Sequence, residues 1–326
     1  MLAKRANLKL LMVEETTWGT KPTITAGDSV RIPFDTESLG ASQERQQNPH
    51  LKGDRNPARG VLGRVDAGGD ISCKLNGLDH GLLLKALLGS VTTTGTGPYT
   101  HTFKIGSSLP SFTIEKGFAD IGQYFVLTGF KCASARFALN PDGFFDLSTT
   151  WMGKGEDASS PAASSMDSAP TERTDAVFSM TDANMVIQEG GANIATLTGL
   201  EFSYENGLDG NVYTLANQGQ RGALPAGAVR ITGELTALFE DVSLYNKAKN
   251  STETSIAITL QRGDGSGSAG NEKLQLFLDE ILFGKAIPKA EGPAGVLLKL
   301  PFEAYYEDAA EASAFRAVLL NSIAAY

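Results

Sequence analysis

Two stretches of this chain repeat one pattern, and any fold has to accommodate both. Gly63-Arg64-Val65-Asp66-Ala67-Gly68-Gly69-Asp70-Ile71 leads into Cys73 and Leu75, and Gly227-Ala228-Val229-Arg230-Ile231-Thr232-Gly233-Glu234-Leu235 leads into Ala237 and Phe239. The common pattern is Gly-x-Val-x-apolar-x-Gly-acid-apolar, with Ile71 matching Leu235 and Leu75 matching Phe239. Apolar residues at alternate positions share one face of an extended strand. The first copy is expected to bend at Gly68-Gly69, where no side chain resists a kink.

The flanks match in kind. A polar stretch, 40–60, precedes the first copy and contains Arg45, His50, Lys52, Arg55 and Arg59. Pro49 and Pro57 break regular structure there, so a long loop is expected. A Gly-rich polar stretch, 206–227, precedes the second copy and contains Arg221-Gly222. After the first copy, Asp79 is placed to open a helix over 82–88 that Gly89 stops. After the second, Asp241 opens a similar helix stopped at Asn250. Two long strands then close each half: 123–139 and 143–152, turning at Asn140-Pro141-Asp142-Gly143, and 273–287 and 294–306, turning near Glu291-Gly292-Pro293.

These correspondences predict a mainly β protein of two tandem β-sandwich or barrel domains, each with one short flanking helix, at 1–152 and 176–326. The Ser/Ala/Pro-rich stretch 153–175 is expected to be a linker. One large sandwich with coincidental spacing is the alternative. Abundant Gly (36 residues) with frequent Ser and Thr favours strands and turns in the same sense. Further strands are expected near 7–15, 30–34, 99–105, 111–116, 176–189 and 194–206. A final helix is expected over 309–324, because Phe315, Val318, Leu319, Ser322 and Ile323 form one stripe at helical spacing.

The residues that carry chemistry are sparse. His50, His80 and His101 are the only histidines, with no His-Glu-x-x-His or Cys-x-x-Cys, so no metal or other cofactor is expected. Gly265-Ser266-Gly267-Ser268-Ala269-Gly270 fits the dinucleotide fingerprint but lacks a parallel βαβ context, and Leu274, Leu276 and Leu278 alternate as in a strand; a hairpin loop is expected there. The adjacent acid pairs Glu14-Glu15, Asp279-Glu280 and Glu307-Asp308 point in different directions on a strand. Cys73 and Cys132 are expected to be buried apolar fillers, in a protein made in a reducing cytoplasm. No signal-like segment opens the chain, and no run reaches the roughly 20 apolar residues of a membrane helix. A net charge of -9 disfavours a protein that grips phosphate, while suiting a surface past which nucleic acid slides.

Glu14-Glu15-Thr16-Thr17-Trp18-Gly19-Thr20-Lys21-Pro22, then Ile32-Pro33-Phe34, Glu37-Ser38-Leu39, the polar arm, and Val61-Leu62-Gly63 with Gly68-Gly69-Asp70-Ile71, resemble the major tail tube proteins of long-tailed, siphophage-type phages. The resemblance is clearest over 8–90. It implies a non-enzymatic virion subunit assembled in the host cytoplasm, whose rings stack into a hollow tube that conducts DNA without binding it specifically. It implies a long arm reaching the adjacent ring: here 40–60, with Arg45, His50, Lys52, Arg55 and Arg59, and 206–227, with Arg221, as its second-half counterpart. Single-domain relatives form hexameric rings, so two fused domains imply trimeric, pseudo-sixfold rings, with hexamers as the alternative. Tape-measure, tail-tip and tail-terminator proteins are the implied partners. Other readings are a capsid decoration or tail-tip protein, a β-sandwich hydrolase and a secreted adhesin.

Overall fold

The computed structural model describes residues 2–326 except 51, 140–142, 174–175, 182–184, 195 and 291–294, and the side chain of Ala290. The expected turns at Asn140-Pro141-Asp142 and Glu291-Gly292-Pro293 lie outside the described residues. The first half holds β1 (Leu8–Glu14), β2 (Val30–Arg31), β3 (Thr36–Glu37), β4 (Gly40–Gln46), β5 (Val61–Lys74), α1 (His80–Leu88), β6 (Gly89–Thr94), β7 (Tyr99–Ile105), β8 (Phe112–Phe118), β9 (Gln123–Leu139), β10 (Asp146–Gly153) and β11 (Gly155–Glu156). The second holds β12 (Val186–Glu189), β13 (Ala192–Asn193), β14 (Leu197–Glu205), β15 (Arg230–Leu238), α2 (Ser243–Lys249), β16 (Thr254–Gln261), β17 (Lys273–Phe283), β18 (Lys289–Ala290), β19 (Val296–Ala304) and β20 (Arg316–Asn321). Among the described residues every strand pairing in the ladders is antiparallel, and the protein is mainly β.

The repeated motif lies on β5 and β15, and pairing around the two strands is alike. β5 lies between β3–β4 and β10; β15 lies between β14 and β19. Gly69 faces Trp151 and Gly233 faces Phe302. The outer strands continue in the same order: β1–β8–β9–β10–β5 in one half, β12–β16–β17–β19–β15 in the other. Even an irregularity recurs, since β8 is bulged between Phe112 and Ile114, and β16 between Thr254 and Ile256. Gly233 has a steric reason to be Gly: a Cβ there would lie 2.3 Å from the Phe302 ring and 2.5 Å from the Glu201 carbonyl.

Both helices anchor to the first strand of their half through a lysine: Lys85 Nζ donates to Glu14 (2.6 Å) and Lys247 Nζ to Glu189 (2.6 Å). Gly89 ends α1 in the left-handed conformation that glycine adopts cheaply (φ 86°). Asp241 accepts from the Ser243 amide (2.7 Å) as α2 begins, whereas Asp79 faces Arg173 (3.2 Å). Cys73 and Cys132 are free and buried, as expected, and burial pushes both thiols up. Residues 262–272, with the Gly-rich fingerprint, form the hairpin loop between β16 and β17.

Two expectations are corrected. The final helix over 309–324 is absent; Arg316–Asn321 is strand β20. Phe315, Ala317, Leu319 and Asn321 are buried at alternate positions, a period of two inside the supposed stripe. The open edges of β7 and β17 offer backbone partners on both sides of β20, which a helix would leave unpaired. Residues 40–46 are not loop but β4, an edge strand whose side chains are mostly in water and so show no alternation of polarity.

The halves join through β9. Its N-terminal part pairs with β8, its C-terminal part with β10, and the remaining edge of that part takes β14 from the other half, with Phe137 opposite Phe202. These two rings stack at 4.7 Å and 12°, and Phe315 meets both edge-on. Asn206, buried just beyond β14, donates from Nδ2 to the carbonyls of Leu87 and Cys132 (2.9 Å each). Residues 155–173 run along the first half: β11 pairs with β9, Thr171 with Val30, and Asp167 accepts from Ser29. We predict that Phe202→Ala lowers the unfolding free energy by about 3–5 kcal/mol, as deletion of a fully buried aromatic does, measured by urea denaturation.

A polar sheet face, its arm and its open edges: the candidate functional site

Seven neighbouring strands, in the order β4, β5, β10, β9, β14, β15, β19, present one face to the core and the other outward. The core face carries Ile71, Cys73, Leu147, Trp151, Phe137, Phe202, Tyr204, Leu235, Leu300 and Phe302, all buried. The outward face is polar and small. One cross-strand row, starting from β3, runs Thr36, Ser72, Ser148, Arg136, Ser203, Thr232, Glu303, each residue opposite the next. The charged residues of this face include the acids Asp66, Asp70, Asp146, Glu201, Glu205, Glu234 and Glu303 and the bases Lys74, Lys131, Arg136, Arg230 and Lys299. Glu201 sits directly opposite Glu234, a like-charge pair that costs stability, and Arg136 offsets it only in part by pairing with Glu201.

The early Glu-Thr-Thr-Trp-Gly-Thr motif has a structural job. Glu15 is buried and accepts from the Gly19 and Gly129 amides (2.7 Å each), Ser111 Oγ (2.7 Å) and Thr113 Oγ1 (2.9 Å). One carboxylate thus pins the turn after β1 to β8 and β9. Trp18 Nε1 adds a bond to the Gly129 carbonyl (3.1 Å). Hydrogen bonds to a charged acceptor are worth about 1.5–3 kcal/mol each, and donors left buried without one cost comparably. Glu15→Ala is therefore expected to destabilise by at least about 3 kcal/mol, read from the urea midpoint.

The arm residues separate. Arg45 lies on β4, opposite Leu62; His50, Lys52, Arg55 and Arg59 are exposed on the segment 47–60. Val61 and Leu62, at the stem, are 66% and 57% exposed. Arg221 is different: only 5% exposed, it donates to the carbonyls of Gly210 (2.7 Å), Ala67 and Gly153 (2.8 Å each) and to the Asp66 carboxylate (2.5 Å). It ties the 206–227 loop across the stem of the arm. The Val65 amide donates to the Gly219 carbonyl (2.8 Å), the Tyr213 hydroxyl to the Val65 carbonyl (3.1 Å), and the Arg64 guanidinium lies 4.8 Å over the Tyr213 ring. A cleft of about 650 Å³ remains between loop and stem. No residue type or spacing in 206–227 distinguishes Arg221 from an exposed arginine; two of the three carbonyls it reaches, those of Ala67 and Gly153, come from distant strands.

His80 and His101 serve the core. The Asn76 amide donates to His80 Nδ1 (2.9 Å), which leaves the proton on Nε2, and Nε2 is buried without a partner among the described residues. Burial pushes this imidazole down to about 3. His101 is also lowered by burial, partly offset by its bond to the Ile323 carbonyl (2.8 Å). The folded state therefore refuses a proton that the unfolded chain takes up below pH 6.5, so stability falls as the pH drops from about 6.5 toward 3. The slope is at most about 1.4 kcal/mol per pH unit for His80. His80→Gln should lose less Tm between pH 7 and pH 5 than the natural protein, by differential scanning calorimetry.

Among the described residues no three His, Cys, Asp or Glu side chains gather as a metal site, and no helix is long and apolar enough to cross a membrane. What the geometry offers is surface: a broad polar sheet face, an exposed arm and, among the described residues, an edge strand, β4, paired on one side only. That is the equipment of a structural subunit. The profile of the phage tail tube protein family matches residues 5–304, and the chain belongs to that family, as a structural component of the phage virion tail. No curated protein matches it.

Proposed function

We propose that this chain is two fused copies of one tail tube unit, residues 1–152 and 176–326 joined through 153–175, and that units add head to tail into rings. The observation that carries this reading is the joint of β14 on β9. There the first sheet strand of one unit completes the edge of another unit's penultimate strand. Shared register identifies the counterparts. Tyr204 faces Ile231 as Ala41 faces Ala67, so β3–β4 is the first half's version of β14. Lys289 faces Leu297 as Ala138 faces Asp146, so residues 284–290 are the second half's version of the end of β9.

Both counterparts have an outer edge with no strand on it among the described residues. Each chain thus carries one open edge of each kind, and open edges are templates for pairing. The two differ, so the contact is heterologous, and a rotation of one sixth of a turn per unit closes it as a ring. The internal joint makes each chain supply two of the repeated joints, which favours three chains per pseudo-sixfold ring over six. The arm 47–60, with His50, Lys52, Arg55 and Arg59 beyond the Arg45 stem, extends to the adjacent ring; in its counterpart Arg221 holds 206–227 within the chain. The polar face lines the lumen, where uncompensated carboxylates let DNA pass without holding its phosphates. Tape-measure, tail-tip and tail-terminator proteins meet the tube at its lumen and ends.

The repeated register places Ala41 of one chain opposite Ala286 of the next, as Tyr204 stands opposite Ala135. With Ala41→Cys and Ala286→Cys together, oxidation is expected to give a covalently closed trimer, and negative-stain end views a three-fold ring. Either substitution alone should give no cross-link. A closed hexamer would retain the ring and reject the trimer; a cross-link-free monomer at high concentration would reject the reading.

A further inference from the structure

The end of the first half's sheet is covered from an unexpected direction. Residues 176–180, which lead into the second half, cross the ends of β5 and β10. The Phe178 amide donates to the Leu75 carbonyl (3.0 Å), the Gly77 amide to the Ala176 carbonyl (2.9 Å), and the Met180 amide to the Gly143 carbonyl (2.7 Å). Phe178 is completely buried there, against Gly77. An element of one unit thus seals the core of the unit before it.

The second half has the same end, without the cover. The Phe239 amide donates to the Val296 carbonyl (2.9 Å) as the Leu75 amide does to Phe145 (2.8 Å), and Asp241 occupies the place of Gly77. In place of a phenyl ring there is an open cavity of about 370 Å³ whose floor of Ile194, Phe239, Leu244 and Leu298 is rimmed by the polar Glu189, Glu240 and Asp241. Leu238 in its lining is 40% exposed, and Val242 and Val296, on the adjoining segments, are 54% and 40% exposed. Among the described residues no backbone segment takes the position of 176–180.

The missing cover is present elsewhere in the chain. Segment 176–180 precedes β12, whose counterpart is β1: Glu189 faces Ile256 as Met12 faces Ile114, at the matching bulges. Phe178 precedes Glu189 by only one residue more than Leu2 precedes Met12. Leu2 is 88% exposed, while Lys4 and Arg5 just after it are fixed to the first half through Asp120 and the Asp35 carbonyl. We propose that the segment before β1 of one chain lies across the end of the second half of its ring neighbour, with Leu2 filling the cavity beside Phe239. This rests on the head-to-tail ring above, because that joint alone brings the two ends together.

Leu2→Asp should leave the thermal unfolding of the isolated chain unchanged, because Leu2 is exposed there. It should raise the concentration at which rings dissociate roughly 10- to 100-fold, the value of one buried leucine. Leu2→Phe should preserve or tighten the rings. The photoreactive p-benzoylphenylalanine placed at position 2, in rings mixed from isotopically distinct chains, should form adducts between chains within 238–244. Rings that form normally with Leu2→Asp, or adducts that map elsewhere, would overturn this contact while leaving the ring reading intact. Absence of rings and of the Ala41–Ala286 cross-link in the natural N-terminal context would remove both.

Discussion

The structure depends on β9 more than on any other element. It is the longest strand among the described residues, and it is paired along both edges: β8 and then β14 on one, β11 and then β10 on the other. A strand so placed cannot shift register without turning its buried residues outward. Phe137 fixes that register from the middle, stacked on Phe202 and met edge-on by Phe315. These three aromatics come from three separate parts of the chain, so the packing that orients the second half forms only when all are in place. The Asn206 amide, bonded to carbonyls of α1 and β9, locks the same joint with directional contacts.

What was legible in the sequence was local. The motif around Gly63 and Gly227 announced two similar strands, because period-two apolar residues and an unavoidable glycine leave a trace in order alone. The helix ending at Gly89 and the hairpin of Gly265–Gly270 were legible for the same reason. The C-terminal strand was misread because 315–323 satisfies both periods; its fate was set by edges on β7 and β17, which are distant in sequence. β4 left no trace, since beyond Gly40 and Ala41 its side chains are in water and show no alternation. Arg221 could be named but not placed, as its partners are backbone carbonyls that carry no sequence signature.

The polar face shows a different kind of constraint. Glu201 opposite Glu234 and a row of five Ser/Thr with Arg136 and Glu303 across seven strands are poor choices for sheet stability, where aromatic or β-branched pairs would contribute more. Such local conflicts with folding mark positions held by function. The opposite face carries Trp151, Phe137, Phe202, Tyr204 and Phe302, all buried, so one face of the sheet makes the core while the other stays polar.

Stability and assembly meet at the sheet's ends. In the first half the edge of β9 and the end of β5 are both completed by parts of the second half, β14 and residues 176–180. In the second half the corresponding edge, 284–290, and the corresponding end, 238–241, have no such cover among the described residues, and Ile287, Leu238, Val242 and Val296 are exposed there. On the head-to-tail ring proposed above, one half displays what the other looks like when its neighbour is present. Apolar side chains at an unpaired strand edge invite promiscuous association. The charged Lys285 and Lys289 and the break at Pro288 limit that on 284–290, since proline and lysine both discourage casual strand addition. An edge guarded in this way admits a partner whose own strand and covering segment arrive together, and the first half of another copy of this chain, with β3–β4 and the residues before β1, carries both.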